Sequence, residues 1–394
     1  MPNTLLSAFL RFCHTYRQRL WSIALPFLLF PLIASCSLPK VVAQDRGFLD
    51  LQLKFLSEYQ LPKQNFQDTP VGGLSGLTYD RQRDLFYAIS DDRSNFSPAR
   101  FYTLKLSLES DKLTQVAVEK VTFLKDQEVT YAPGTIDPEG LALSPIDSLF
   151  ISSEGTDKAP PFIQEYDLIT GNKLQSISLP QRFLPTAQAG IQPNLGFESL
   201  AIAGDGNSKG DPYRLFAALE SPLKQDINPE TNSEINLNQP PAIRLLHYLF
   251  ADPAPPLLIS ENLYQLDKEP AGTLIYGLTD LMTLPERGFF LGLERSYGLL
   301  GDGAKIYQIT TGNATDTSSI PSLRTISPSL QPIRKKLVLD LATLGIKLDN
   351  LEGMALGARL ADGSQSLILV SDDNFSSEQI TQFLLFSLKI GSRA

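Results

Sequence analysis

Beyond residue 36 the chain contains no cysteine, because its two, Cys13 and Cys36, both fall at the extreme N-terminus. A disulfide framework, a cysteine nucleophile and a thiolate metal site are therefore excluded from the body of the protein. Histidine is almost as scarce, with only His14 and His247 in 394 residues. A histidine-rich zinc site is out of reach, and Ser-His-Asp chemistry would rest entirely on His247. That residue lies in the apolar run Arg244–Phe250, the setting of a structural side chain. Positive charge is also short: 34 Lys and Arg face 43 Asp and Glu, a net charge of −9. No nucleic-acid partner is expected, and an acidic surface favours cations, or anions bridged by cations. The dense basic cluster Arg334-Lys335-Lys336 precedes a strand-like run and reads as a solvated strand edge. Sustained helical periodicity is missing as well, which argues against an α/β fold.

What is present begins with a leader. Residues 1–35 carry Arg11, Arg17 and Arg19 and no acid, with an apolar stretch from Leu20 to Ala34 that ends in Ile33-Ala34-Ser35-Cys36. A basic start, an apolar segment too short to span a bilayer comfortably and small residues before a cysteine form a lipoprotein signal. Residues 1–35 are expected to be removed and Cys36 lipidated. Residues 36–47 then serve as a linker to one domain, 48–394. The expected product is an exported monomer in the periplasm or cell envelope, held to the membrane through its lipid only. A plain signal cut near Val42-Ala43-Gln44, or an uncleaved anchor, is the alternative. Without the leader, 31 basic residues face 43 acidic ones.

A degenerate unit recurs five times at intervals of 59 to 81 residues. Each copy opens with a short apolar strand: Leu74–Tyr79, Pro138–Leu143, Phe197–Ile202, Leu278–Thr283 and Leu351–Leu356. A second apolar strand follows and ends in acid: Leu85–Asp92, Leu149–Glu154, Leu215–Glu220, Phe289–Glu294 and Leu367–Asp373. Third and fourth strands are legible after each pair, except that the fifth copy runs out of chain before its fourth. Four-stranded repeats of this kind predict an all-β β-propeller. Five blades are expected, with six as the alternative, and the strand Phe48–Tyr59 completes the last blade beside Gln382–Leu388. Two longer connections, Ser221–Pro241 and Thr310–Pro332, read as passive loops. Asp205-Gly-Asn207 with Asp211 imitates a calcium loop, but Lys209 stands where a ligand oxygen should be, so a hairpin tip is expected.

In a propeller the start of each innermost strand and the end of the second meet at one face. That geometry gathers Glu139, Glu198, Asp280 and Glu352 with Asp91, Asp92, Glu154, Glu220, Glu294, Asp372 and Asp373, while Ser75 holds the matching place in the first copy. So many carboxylates cannot share a confined site cheaply without compensating cations, and Arg93, Arg100 and Arg295 neutralise only part. Hard oxygen ligands without His or Cys select calcium or magnesium, and calcium tolerates irregular cages. The competing reading is repeated turn-capping, each acid accepting backbone N–H bonds after its strand.

The blocks Leu74-Ser-Gly-Leu, Ala88-Ile-Ser-Asp-Asp-Arg93, Ile136-Asp-Pro-Glu-Gly-Leu141, Gly196-Phe-Glu-Ser-Leu200, Asn350-Leu-Glu-Gly-Met354 and Val370-Ser-Asp-Asp-Asn374 resemble those of the phytase-like family described as "esterase-like activity of phytase". The resemblance covers roughly residues 70–390. It implies a secreted propeller hydrolase of phosphate or related esters, assisted by calcium, and singles out Asp91, Asp92, Glu139, Glu198, Glu352, Asp372 and Asp373. On this expectation Asp91, Asp92, Glu139, Glu154, Glu198, Glu220, Glu294, Glu352, Asp372 and Asp373 are the candidate metal ligands. An ion-bound water would attack with help from Glu139, Glu198 or Asp372, and Arg93 or Arg295 would steady developing charge. Asp92 and Arg100 are the candidate substrate contacts. No Gly-x-Ser-x-Gly nucleophile motif is present. The other expectation is a non-catalytic envelope propeller that binds a cation, glycan or protein partner on the same face.

Overall fold

The computed structural model describes residues 47–109, 111–204, 210–227, 240–268, 272–299, 301–324, 327 and 329–391. The leader with Cys36 and the tip 205–209 lie outside the described residues, as does most of the Ser221–Pro241 connection. Five four-stranded antiparallel sheets succeed one another as blades, and the six-blade alternative falls away.

Blade 1 consists of Leu74–Asp80, Leu85–Ser90, Arg100–Glu109 and Lys112–Phe123, named from the axis outward. Blade 2 is Pro138–Leu143, Ser148–Ser153, Phe162–Asp167 and Lys173–Ser176. Blade 3 is Phe197–Gly204, Tyr213–Leu219, Ala242–Ala251 and Ala254–Gln265. Blade 4 is Thr273–Thr283, Phe289–Gly298, Gly303–Thr310 and Arg334–Asp340. Blade 5 takes Asn350–Arg359, Gln365–Asp372 and Thr381–Ile390 from the end of the chain and Leu51–Leu61 from its start. The closing pair runs from Leu51 opposite Ile390 to Leu61 opposite Thr381, so the expected closure holds.

Second strands are apolar because each is covered on both faces by neighbouring blades; Ser148–Ser153, for example, is buried throughout. The core is accordingly a set of apolar clusters in the clefts between successive blades.

At the axis the innermost strands come almost too close for side chains. A Cβ on Gly76 would stand 2.8 Å from the Glu139 carbonyl oxygen, and one on Gly140 only 2.3 Å from that of Glu198. Ser199 Oγ donates to the Leu278 carbonyl at 3.3 Å, and Asp280 accepts from the Met354 amide at 2.6 Å. A Cβ on Gly353 meets the Leu77 amide nitrogen at 3.1 Å, which closes the ring. The third residue of every repeat thus makes the contact to the next blade, and only glycine or a hydrogen-bonding side chain fits there.

The Thr310–Pro332 connection is no passive loop where it is described. Fully buried Arg244 pairs with Asp226 at 2.6 Å and with Glu261, and also donates to the Ile320 carbonyl at 3.1 Å. Asp226 accepts from the Leu323 amide at 2.7 Å, and the Thr317 amide reaches the Glu261 carbonyl at 2.7 Å. The segment clasps the outer strands of blade 3.

Candidate active site

All five innermost strands break register at the same place. In blade 1 Leu74 pairs with Ser90 and Gly76 with Ile89, leaving Ser75 as the extra residue. The same irregularity falls at Glu139-Gly140, Glu198, Thr279 and Glu352. A bulge re-aims the extra side chain out of strand alternation. It delivers Glu139, Glu198 and Glu352 to a 510 Å³ cavity at the channel mouth. Each second strand adds the residue that follows the partner of the last residue before the bulge: Asp91, Glu154, Glu220, Arg295 and Asp372, all five of which line that cavity.

Blade 4 therefore departs from the expected pattern by one residue in both strands. Thr279, not Asp280, occupies the bulge, and Arg295, not Glu294, takes the mouth position. A one-residue slip sends a side chain to the opposite face of a sheet. Glu294 is buried away from the mouth, where it accepts from Tyr264 at 2.6 Å and also binds Tyr276 and Lys335. Asp280 caps the Leu281 and Met354 amides in the channel wall. Asp92 and Asp373 also lie outside the cavity lining. Asp92 accepts from the Asn95, Phe96 and Ser97 amides and pairs with Arg100 at 2.7 Å, with both side chains fully buried. Arg100 consequently points into the blade rather than toward a ligand. Asp373 accepts from the Gly73 and Phe375 amides at 2.9 and 3.1 Å. Turn-capping thus accounts for Asp92 and Asp373, and side-chain and inter-blade contacts for Glu294 and Asp280. Arg93 sits beside the cavity, its Nε donating to Asp137 at 2.5 Å.

Asp137 is a further acid that the strand pattern does not mark, since it precedes the strand Pro138–Leu143; its place two residues before Glu139 is the local signal for it. The same spacing marks Asn350 before Glu352. Asp137 and its neighbours form one of two close carboxylate groups: Asp91, Asp137 and Glu139 offer oxygens within 4.8 Å of one another, as do Glu154, Glu198 and Glu220. Burial pushes the carboxyls of Asp91, Glu139, Glu154, Glu198 and Asp372 well above the usual range, and adjacent negative charge adds to the effect. Burial also raises Glu352, to about 7, with Arg295 opposing the shift. Arg295 pairs with Glu220 at 2.9 Å and Glu352 at 2.6 Å, so it neutralises the blade 3–5 side of the ring. Among the described residues no comparable cation faces the Asp91 group except Arg93 at its edge.

The sequence pattern of the phytase-like family, described as esterase-like activity of phytase, matches residues 69–375. The chain belongs to that family. Solved structures similar to this phytase-like propeller include the catalytic domain of a Coprinopsis cinerea GH62 α-L-arabinofuranosidase, at 9% identity and TM-score 0.41, covering 85% of this chain and 97% of that one. Another is a β-fructofuranosidase from Schwanniomyces occidentalis, at 10% identity and TM-score 0.39, covering 82% and 58% respectively. A third is a DUF4221 family member from Bacteroides vulgatus, at 9% identity and TM-score 0.38, covering 88% and 100%. A search of curated proteins found no match. The bulge-borne Glu139, Glu198 and Glu352 and the strand-end Asp91, Glu154, Glu220 and Asp372 all fall inside the phytase-like match.

Proposed function

We propose that this phytase-like chain is a hydrolase of phosphate or related esters whose acidic mouth works with bound calcium. The observation that carries the proposal is the group Asp91, Asp137 and Glu139, in which the buried Asp137 Oδ2 meets no hydrogen-bond donor. Asp91 lies within hydrogen-bonding reach of both Asp137 and Glu139. Two carboxyls can keep such a contact only with a proton or a cation between them. Oxygens that share one ion at about 2.4 Å each lie no more than about 4.8 Å apart, so both groups fit a hard cation. Asp91, Asp137 and Glu139 would hold one ion, and Glu154, Glu198 and Glu220 a second. When bound, a divalent cation supplies Lewis acidity to an ester's anionic oxygens and makes nearby water more acidic.

The remaining roles fall to side chains outside these groups. Asp372 faces the cavity with a carboxyl that burial raises well above its usual range, which makes its carboxylate a stronger base for attacking water. Arg295 is pinned by Glu220, Glu352 and Asn350, and its buried Nε has no partner. It can donate to a developing oxyanion without first reorganising. Water attack also suits a chain without a nucleophile motif.

The test combines melting with hydrolysis of a panel of phosphate and carboxylate esters, with calcium and with chelator. A calcium concentration a hundredfold above the dissociation constant should stabilise the protein by about 2.7 kcal/mol. Glu139→Gln with Glu198→Gln should remove that response and any calcium-dependent turnover. A full melting shift in the double mutant would overturn the ion assignment. A normal shift without turnover of any ester would leave a cation-binding envelope module instead.

A further inference from the structure

Two stretches of the mouth follow one pattern: Ser90-Asp-Asp-Arg-Ser-Asn-Phe96 in blade 1 and Ser371-Asp-Asp-Asn-Phe375 in blade 5. In each, the first acid, Asp91 or Asp372, lines the cavity, and the second folds back to brace the loop that follows. The two loops bring their phenylalanines together, with ring centroids 4.7 Å apart and planes tilted by 36°.

A lone exposed phenylalanine is ordinary on a protein surface. This one is held in place by specific groups. Phe96 is 64% exposed, yet its amide is capped by Asp92, itself locked to Arg100. Phe375 adopts the left-handed conformation at φ 52°, beside Asn374 at φ 46°, which a bulky residue rarely tolerates without a reason. Its ring packs on Gly73, where any Cβ would collide at 2.6 Å, and the Gly73 carbonyl accepts from the Asp91 amide at 2.6 Å. The Arg100 guanidinium stands 5.8 Å from the Phe375 ring centroid. Asn374 and Ser376, on either side of Phe375, line the cavity. Phe375 is therefore flanked on both sides by residues of the cavity rim, three residues beyond Asp372, and Phe96 stacks against it five residues beyond Asp91.

We infer that Phe96 and Phe375 form a subsite for a flat apolar ring on the leaving group, so that the substrates are aryl rather than alkyl esters. This inference rests on the hydrolase assignment above. Cations held by the two carboxylate groups would receive the anionic end of the ester. The rest of the mouth, rich in carboxylates, disfavours a leaving group that carries anionic substituents of its own. A neutral ring is what the exposed Phe96 face accepts, through offset or edge-on contact.

Calorimetric titration with phenylphosphonate and methylphosphonate, in calcium, tests this with ligands that cannot be hydrolysed. Wild type should prefer the phenyl compound by about tenfold, in the range of one aromatic contact with its buried area. Phe96→Ala should bring that preference close to unity by loss of phenylphosphonate affinity, while the calcium melting shift shows the fold and cation site intact. An undiminished phenyl preference in the variant would overturn the ring subsite alone. If neither phosphonate binds although calcium still raises the melting temperature, the hydrolase assignment fails, and the subsite with it.

Discussion

Among single side chains, the mouth divides acids that face the cavity from acids that brace its walls, and protons decide how the first set behaves without a cation. Folding raises the carboxyls of Asp91, Glu139, Glu154, Glu198 and Asp372 above their ordinary values and Glu352 from 4.5 to about 7. A carboxyl raised in the folded state binds more protons there than in the unfolded chain. Its stabilisation is complete below the unfolded pKa and is lost as pH rises through the folded one. Metal-free protein should therefore melt at a lower temperature at pH 8 than at pH 5. His247 opposes this: burial and Arg214 lower it from 6.5 to about 4, so its contribution is lost as pH falls through that window. One histidine stands against several carboxyls, and the acids should dominate. Calcium should flatten the slope by replacing protons, and its binding should release them. Melting curves at both pH values, in chelator and in calcium, check the sign. Metal-free protein that is more stable at pH 8 would contradict it.

At the scale of elements, a bulge followed by a glycine or a hydrogen-bonding residue is the working unit of each innermost strand. In blades 2, 3 and 5 the bulge turns a carboxylate into the mouth, and in every blade the next residue makes the contact to the neighbouring strand. Gly140 is the tightest case, since an added Cβ would meet the Glu198 carbonyl oxygen at 2.3 Å and Ser152 Oγ at 2.6 Å. The backbone there cannot retreat without moving Glu198. Gly140→Ala should cost about 1–3 kcal/mol of stability, as overpacking does, and weaken the calcium response. Gly312→Ala is the control, because its Cβ would meet nothing nearer than Thr310 Oγ1 at 3.7 Å. Equal melting temperatures for the two variants would contradict this account. The repeat was readable because a short apolar strand followed by a second apolar strand ending in acid survives in every copy. The offset in blade 4 was not, because Phe289-Phe-Leu-Gly-Leu-Glu294 imitates Leu215-Phe-Ala-Ala-Leu-Glu220 letter for letter in type. Only pairing shows that Phe290, not Phe289, aligns with Leu215, through Thr283 and Ile202 respectively.

Over the whole molecule, closure depends on one strand. Leu51–Leu61 covers the edge Thr381–Ile390, with Phe55 edge-on to Phe386 at 5.5 Å. Deleting residues 48–61 would bare a long, buried and largely apolar strand, the kind of edge that pairs with other chains. The truncated protein should aggregate and lose its cooperative melt by size-exclusion chromatography and calorimetry. A monomer with the intact melting temperature would show that the ring does not need this closure.

By itself the sequence determined the five-fold repeat, the blade order, the closing strand and a concentration of carboxylates at one face. Each of these follows from apolar runs, turn chemistry and residue type within a few positions of one another. Tertiary structure alone decided which carboxylates face the cavity. Asp91 and Asp92 are neighbours of the same type, yet one lines the mouth and the other caps a loop against Arg100. The difference is set by where the strand ends and by the partners that blades 1 and 5 bring to it. Arg295 gained its place as internal counter-charge in the same way, since Glu220, Asn350 and Glu352 reach it from blades 3 and 5, up to 75 residues distant in the chain. Local pattern specifies which residues point the same way along one strand. Only the closed ring specifies what they meet.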